Sequence, residues 1–489
     1  MKKQIVFFVF SFVIIQMQAL NVFNVKDFGA KGDGKTIDTE SINKSISAAA
    51  FSGGGTVVFP AGIYPSYSIH LKSNITLQFD AGSVLLAAEN NPENGYDAPE
   101  PNEFHQYQDF GHSHWHNSLI WGENLENVSI IGQGTINGAG LNRGDKNVLE
   151  AGIGNKAISL KLCKNVLLRD IKMLMCGHFA LLATGVDNLT IDNLTIDTNR
   201  DGLDIDACRN VRVSNCTVNS PWDDAIVLKA SYALGFFRDT ENVTITNCFV
   251  SGFDRGSSLN GSYKKNEMNV PDKDFPTGRI KLGTESSGGF RNIAISNCVF
   301  DHCRGLALET VDGGVLEDVV ISNITMRDIM NSPIFLRIGA RMRSPENTPI
   351  GKMRRITIQN INVYDADSRF ASLITGLPNH PIEDIKLDHI RIVYKGGGTK
   401  DQSTLNVPEN EKKYPEPSMF GTIPSSTFFI RHARNIEISN MEVSFLKPDE
   451  RPAIQLDDVQ QSVFRNLKIN QPNVQKFIIK NSDKPEIKE

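Results

Sequence analysis

Two short runs set carboxylates where they could act on one bond. Asn199-Arg-Asp-Gly-Leu-Asp-Ile-Asp206 and Trp222-Asp-Asp-Ala-Ile-Val-Leu-Lys229 superpose when Leu203 and Ile205 are matched to Ile226 and Leu228 as inward residues. That alignment puts Asp201 over Asp224, with Asp223 beside them. Carboxylates this close do not all ionise at ordinary pKa values, so one is expected to keep its proton near neutral pH. A protonated acid beside ionised bases is what glycosidic hydrolysis needs: one group protonates the leaving oxygen, the others activate water. The same cluster could instead hold calcium or form a solvated acidic ridge.

The superposition depends on an internal repeat. Asn188-Leu-Thr-Ile-Asp-Asn193, Asn210-Val-Arg-Val-Ser-Asn215, Asn242-Val-Thr-Ile-Thr-Asn247 and Asn292-Ile-Ala-Ile-Ser-Asn297 are copies of one pattern. Later copies end at Asn360 and Asn440, and weaker ones begin at Asn127 and Asn165. Each alternates apolar and polar residues and then turns at Asn, which describes a strand with one face inward. Such a strand cannot bury its face alone, so the copies must stack at roughly 4.8 Å intervals. The expected fold is all-β: a right-handed parallel β-helix, with the recurrent Asn residues forming a ladder at left-handed bends. Cys216, Cys248 and Cys298 follow that Asn and are expected to stack as small apolar side chains rather than bridge.

The ends differ from the repeat. Lys2 and Lys3 before an apolar run to Ile15 read as a signal peptide over residues 1–19, hence an exported protein. Residues 20–489 then form one β-helix catalytic domain, of which 20–70 is an N-terminal cap region. Ile42, Ile46 and Ala49 have helix spacing, and Gly53-Gly-Gly55 ends it, so a short helix is expected to cap the solenoid. Gly29-Ala-Lys-Gly-Asp-Gly-Lys-Thr36 matches the P-loop letters. However, Lys26-Asp27 interrupts the strand a phosphate cradle needs and Asp33 would repel phosphate, so a glycine-rich cap turn is expected.

Composition narrows the function classes. The 489 residues carry 51 Lys+Arg against 56 Asp+Glu, a net charge of −5 that offers nucleic acid no global basic field. Beyond the N-terminus no apolar run approaches the length of a membrane span. The cysteine count of 7 is odd and lacks a Cys-x-x-Cys pair, so a zinc site of that type is unsupported.

At the carboxylate runs the chain resembles glycoside hydrolase family 28, the polygalacturonases and rhamnogalacturonan hydrolases. Asn199-Arg-Asp201 is similar to the family's Asn-x-Asp motif and Asp223-Asp224 to its Asp-Asp motif. Phe23–Gly34 and Gly53–Gly62 resemble its bacterial N-terminal cap. The resemblance implies a pectic substrate and no metal or cofactor; a monomer is expected. It implies Asp223 as general acid, Asp201 and Asp224 as water-activating bases, and inversion at the anomeric carbon. Inverting carboxyl groups usually stand about 6.5–9.5 Å apart.

Two family motifs depart from the pattern. Gly278 stands where the family has histidine, and Ala307-Leu-Glu309 where it has Arg-Ile-Lys, while Arg279-Ile-Lys281 lies one repeat earlier. Glu309 would repel a uronate carboxylate unless protonated or paired, which favours a rhamnogalacturonan-type or exo-acting galacturonidase over a typical endo-polygalacturonase. Lys229, Lys281, Arg337 and Arg279 are the candidates to bind uronate instead, and a salt bridge from Glu309 to Arg337 is the structural alternative. His178, one coil before Asp201, is a candidate to replace the lost histidine. His112, His114 and His116 alternate beside Trp115 and near Trp121, a pattern open to metal binding, a sugar-binding wall or loop packing. Long inserts at 92–117, 253–277 and 395–425 are expected to wall the cleft. Rival classes are a calcium-dependent pectate lyase and a non-catalytic β-helical carbohydrate-binding protein.

Overall fold

A computed structural model describes residues 21–108, 111–143, 149–270, 273–472 and 474–488. The signal-peptide reading of 1–19 lies outside them. The chain winds into a right-handed parallel β-helix in which each coil supplies up to three short strands. One coil is Asp201–Asp206, Arg209–Ser214 and Thr217–Asn219, and each strand pairs in parallel with its equivalent in the next coil. Alternation does the work expected of it: Leu189, Ile191, Val211, Val213, Val243 and Ile245 all point into one continuous core. Past Val315 two strands of a coil merge, as in Val315–Ile329 and Lys352–Ala366.

The Asn ladder forms as the repeat requires. Asn127, Asn165, Asn188, Asn210, Asn242 and Asn292 all have φ between 53° and 58°. Each donates its side-chain amide to the Asn below, from Asn127 on Asn74 at 2.8 Å to Asn292 on Asn242 at 2.8 Å. A left-handed bend is tolerated by Asn better than by most residues, and the shared amide bonds satisfy both ends of each side chain. All seven cysteines are buried and unbridged.

Helix α1 (Thr39–Phe51) closes the N-terminal end and buries Ile42, Ile46 and Ala49 completely. The glycine loop before it is held by the chain's own carboxylates. Asp38 accepts from the backbone amides of Lys31 at 2.7 Å and Gly32 at 3.0 Å, and Asp33 accepts from Lys35 and Thr36. This is a cap turn, and the amides a phosphate would need are already engaged.

One face of the solenoid carries the carboxylates. Its strands are β1 (Phe179–Thr184), β2 (Asp201–Asp206), β3 (Ile226–Ala230), β4 (Ile280–Ser286), β5 (Leu306–Thr310) and β6 (Ile334–Ile338). The register pairs Phe179 with Asp201, Leu203 with Ile226, Ile205 with Leu228, and Glu309 with Arg337. The inserts fold over this face. At one end Trp115 packs, fully buried, on Phe179 and Leu182 of β1. At the other, Val407, Phe420 and Ile423 pack on Ala307 of β5 and Phe335 of β6. No helix among the described residues is long and apolar enough to cross a membrane.

Candidate active site

Asp201 opens β2, and Asp223 and Asp224 lie on the turn just before β3. The coil-to-coil register therefore brings them together: one oxygen of each lies within 4.8 Å of the other two. These are nearest-oxygen distances, and they are shorter than the separation anticipated for inversion, because stacked coils hold neighbouring side chains about one strand spacing apart. All three are largely buried, with Asp223 the most exposed at 8% against 3% for Asp201 and 2% for Asp224.

Four cations surround the cluster. Arg200 donates to Asp223 Oδ2 at 3.0 Å. Arg279 Nε donates to Asp224 Oδ1 at 2.9 Å, and Lys281 Nζ stands 3.5 Å from Asp224 Oδ2. Lys229 Nζ lies 2.9 Å from Asp204, 3.4 Å from Glu285 and 3.8 Å from Asp201. Burial, reinforced by the charge on Asp223, pushes the Asp201 carboxyl up to about 8, so the cluster holds a proton at neutral pH. His112, Asp201 and Asp204 could meet on a metal ion, as could the three aspartates. Lys229, Arg200, Arg279 and Lys281 already bring positive charge to both sets, so the donor set fits a bound cation poorly.

The other residues singled out by sequence are distributed unevenly. Glu309, buried in β5, pairs with Lys281 at 3.3 Å, and Arg279 lies 4.0 Å away. The anticipated Glu309–Arg337 bridge does not form. Arg337 stacks in register with Glu309, but its guanidinium donates to the carbonyls of Gly376 at 3.1 Å and Glu409 at 2.8 Å beneath the C-terminal insert. Burial moves Glu309 up to about 7. His178 is buried beside the Arg200 position, and burial together with Arg200 keeps its imidazole well below the usual range, hence neutral.

The three alternating histidines separate instead of sharing a strand face. His112 reaches Asp204 at 3.0 Å and also bonds Lys229, His114 bonds the carbonyl of Glu100 at 2.7 Å, and His116 bonds Glu123 at 3.1 Å. The segment is a turn held by Trp115, whose indole donates to Thr184 at 3.0 Å, so a strand's period of two does not apply. Trp121 stacks on His116 at 3.9 Å.

Several residues of the site escaped sequence reasoning. Arg200 sits inside the first carboxylate run but carried no assigned role. Asp204 could have been found by extending the column of Lys281, which runs through Val227 to Asp204, whereas Glu285 lies past a register irregularity between Leu228 and Ala230 that the repeat does not show. Glu416 and Tyr414 could not, since they reach the site from the 395–425 insert: Glu416 pairs with Arg279 and lies 3.0 Å from Arg304, and Tyr414 accepts from Lys281 at 3.2 Å. The middle insert contributes Arg255, stacked 4.0 Å over Trp222 next to Asp223.

The chain is similar to known proteins. Residues 22–164 match the family described as rhamnogalacturonase A/epimerase, pectate lyase-like. Residues 100–252, which include all three aspartates, match glycosyl hydrolases family 28. A probable polygalacturonase of Vitis vinifera is 24% identical over 422 residues, covering 81% of this chain and 79% of its own. An exopolygalacturonase of Platanus acerifolia is 24% identical over 418 residues, covering 79% of this chain and 94% of its own. The structure of a family 28 exopolygalacturonase from Yersinia enterocolitica superposes with a TM-score of 0.66 at 19% identity, covering 95% of this chain and 78% of that one, which establishes the common fold.

Proposed function

We propose, from the premise that the chain belongs to glycosyl hydrolases family 28, that this glycosidase removes galacturonosyl units from chain ends of pectin with inversion. The observation that carries the reading is the triangle of Asp201, Asp223 and Asp224. Asp223, the most exposed of the three, is the carboxyl a leaving oxygen can reach, and it serves as general acid. Asp201 and Asp224 hold and deprotonate the attacking water. The proton belongs to the Asp201–Asp223 pair. Burial keeps it on Asp201 in the ligand-free enzyme, and moving it to Asp223 arms acid and base together. Water then bonds to the anomeric carbon as the glycosidic bond breaks, its proton passing to the base and the Asp223 proton to the leaving oxygen.

Action from the end of a chain is supported by the covered sheet. Trp115 and its neighbours sit over β1, and Phe420 and Ile423 sit over β5 and β6, so a long polymer has no open track along the face. The relatives named exopolygalacturonase agree with this reading. Export is supported by the N-terminal run, and pectic chains outside the cell are the matching substrate. Incubation with polygalacturonate and with rhamnogalacturonan oligosaccharides is the test. New reducing ends without ultraviolet absorbance, released as monomer and lost in Asp223→Asn, are expected. Rising absorbance would mean elimination and overturn hydrolysis.

A further inference from the structure

We propose that Glu416 is a specificity-determining residue: it fills, with the chain's own carboxylate, the place of a substrate carboxylate beside Asp224, so the adjoining subsite takes an uncharged sugar. The inference rests on the reading of Asp201, Asp223 and Asp224 as the hydrolytic centre, and it specifies that centre's substrate as a galacturonosyl unit joined to an uncharged sugar.

Glu416 is bound as a uronate would be. Its carboxylate lies in a fork of two guanidiniums: Arg279 donates through both terminal nitrogens, one of them at 3.3 Å, and Arg304 stands 3.0 Å away. Asn331 adds its amide at 3.4 Å. Paired donors of this kind are what recognises a planar carboxylate. The same Arg279 reaches Asp224 at 2.9 Å through Nε, so the filled position is one guanidinium away from a reacting group.

The arrangement is built rather than incidental. Pro415 and Pro417 flank Glu416 and fix its backbone, while Val407 on one side and Phe420 on the other anchor the strap in an apolar cluster. Glu416 itself is 6% exposed, Arg279 0% and Lys281 1%. Tyr414, from the same strap, accepts from Lys281 at 3.2 Å and occupies the second cation. Each cation is already paired: Arg279 with Asp224 and Glu416, Lys281 with Asp224 and Glu309, and Arg304 with Glu416. A further carboxylate from substrate would arrive as a surplus negative charge in a poorly screened site. An uncharged sugar would not.

The test compares trigalacturonate with an oligosaccharide that alternates galacturonate and an uncharged sugar, using wild type, Glu416→Gln and Glu416→Asp. The wild type is expected to favour the alternating substrate. Glu416→Gln keeps the shape of the side chain and frees positive charge, so the kcat/KM ratio should move toward trigalacturonate by about tenfold or more, mainly through KM, the value of roughly one lost repulsion. Glu416→Asp keeps the charge and should retain the wild-type ratio. A parallel fall on both substrates in Glu416→Gln would mean a merely structural role and overturn the proposal. Calorimetric titration of digalacturonate into Asp223→Asn and into Asp223→Asn/Glu416→Gln reads the same site without turnover. Binding tighter by about tenfold in the double variant supports the proposal, and equal binding overturns it. Failure of the hydrolytic reading is seen separately, as activity that survives Asp223→Asn.

Discussion

Arg200 and Asp223 stand one coil apart in the chain and 3.0 Å apart in space, joined by a largely buried ion pair. The consequence is electrostatic: a guanidinium beside a carboxyl favours its charged form. If Asp223 is the general acid, as proposed, Arg200 works against the proton it would carry, while Asp201 and Asp224, the carboxylates packed against it, work for that proton. Neutral His178 is also close and adds no charge of its own.

Replacing Arg200 by Gln removes the opposing force. Asp223 should then hold its proton to higher pH, and the alkaline limb of the kcat/KM profile should move up by about one pH unit. Movement of the acid limb instead would make Asp223 a base.

Asp201→Asn, Asp223→Asn and Asp224→Asn should each lower kcat by about 100-fold or more, the usual worth of one positioned acid or base. Circular dichroism of the three variants should match wild type, because none of these side chains packs in the apolar core. Proton NMR of the first product should show inversion, and retention there would assign one aspartate as a nucleophile.

Asp201 also couples stability to pH. Its folded-state value of about 8 lies above the unfolded one, so the native chain binds the extra proton between about pH 4 and 8. This contribution is complete at low pH and is lost as pH rises toward 8. Asp201→Asn should therefore melt above wild type at pH 8, with the difference vanishing near pH 4. In a chain of this size each 1 kcal/mol is worth about 2 °C or less.

Trp115→Ala empties the fully buried position that seats the first insert on β1. A loss of about 3–5 kcal/mol is expected in denaturant titration. With that end of the face uncovered, products longer than a monomer should accumulate from polygalacturonate. An unchanged monomer pattern would place the exo constraint elsewhere.

Chelation should leave activity unaltered, since the positive charge at the carboxylates comes from Arg200, Lys229, Arg279 and Lys281. Activity lost to EDTA and restored by calcium would point to lyase chemistry.

The legible parts of this molecule are those that repeat. Period-two alternation and recurrent Asn specified the coil, the ladder and the register that stacks Asp201 on Asp224, because each copy faces the same physical problem. The helix over α1 was readable from Ile42, Ile46 and Ala49. The partner of Glu309 was not: register places Arg337 against it, yet Lys281 from β4 reaches it and Arg337 turns toward the carbonyls of Gly376 and Glu409. Glu416 was beyond reach because an insert's path over the solenoid follows no period. His112, His114 and His116 show the same limit, as alternation has meaning only within a strand.

The Asn ladder leaves the chain great freedom between its rungs. Asn188 bonds Asn165 at a sequence separation of 23, Asn242 bonds Asn210 at 32 and Asn292 bonds Asn242 at 50, with donor–acceptor distances from 2.8 to 3.1 Å. Registration is thus insensitive to how much polypeptide loops out before the next rung closes. Such a scaffold can acquire or exchange a loop without renegotiating its core. New substrate preference can then be inherited through parts such as the strap bearing Glu416, while the stacked aspartates stay where the coils hold them.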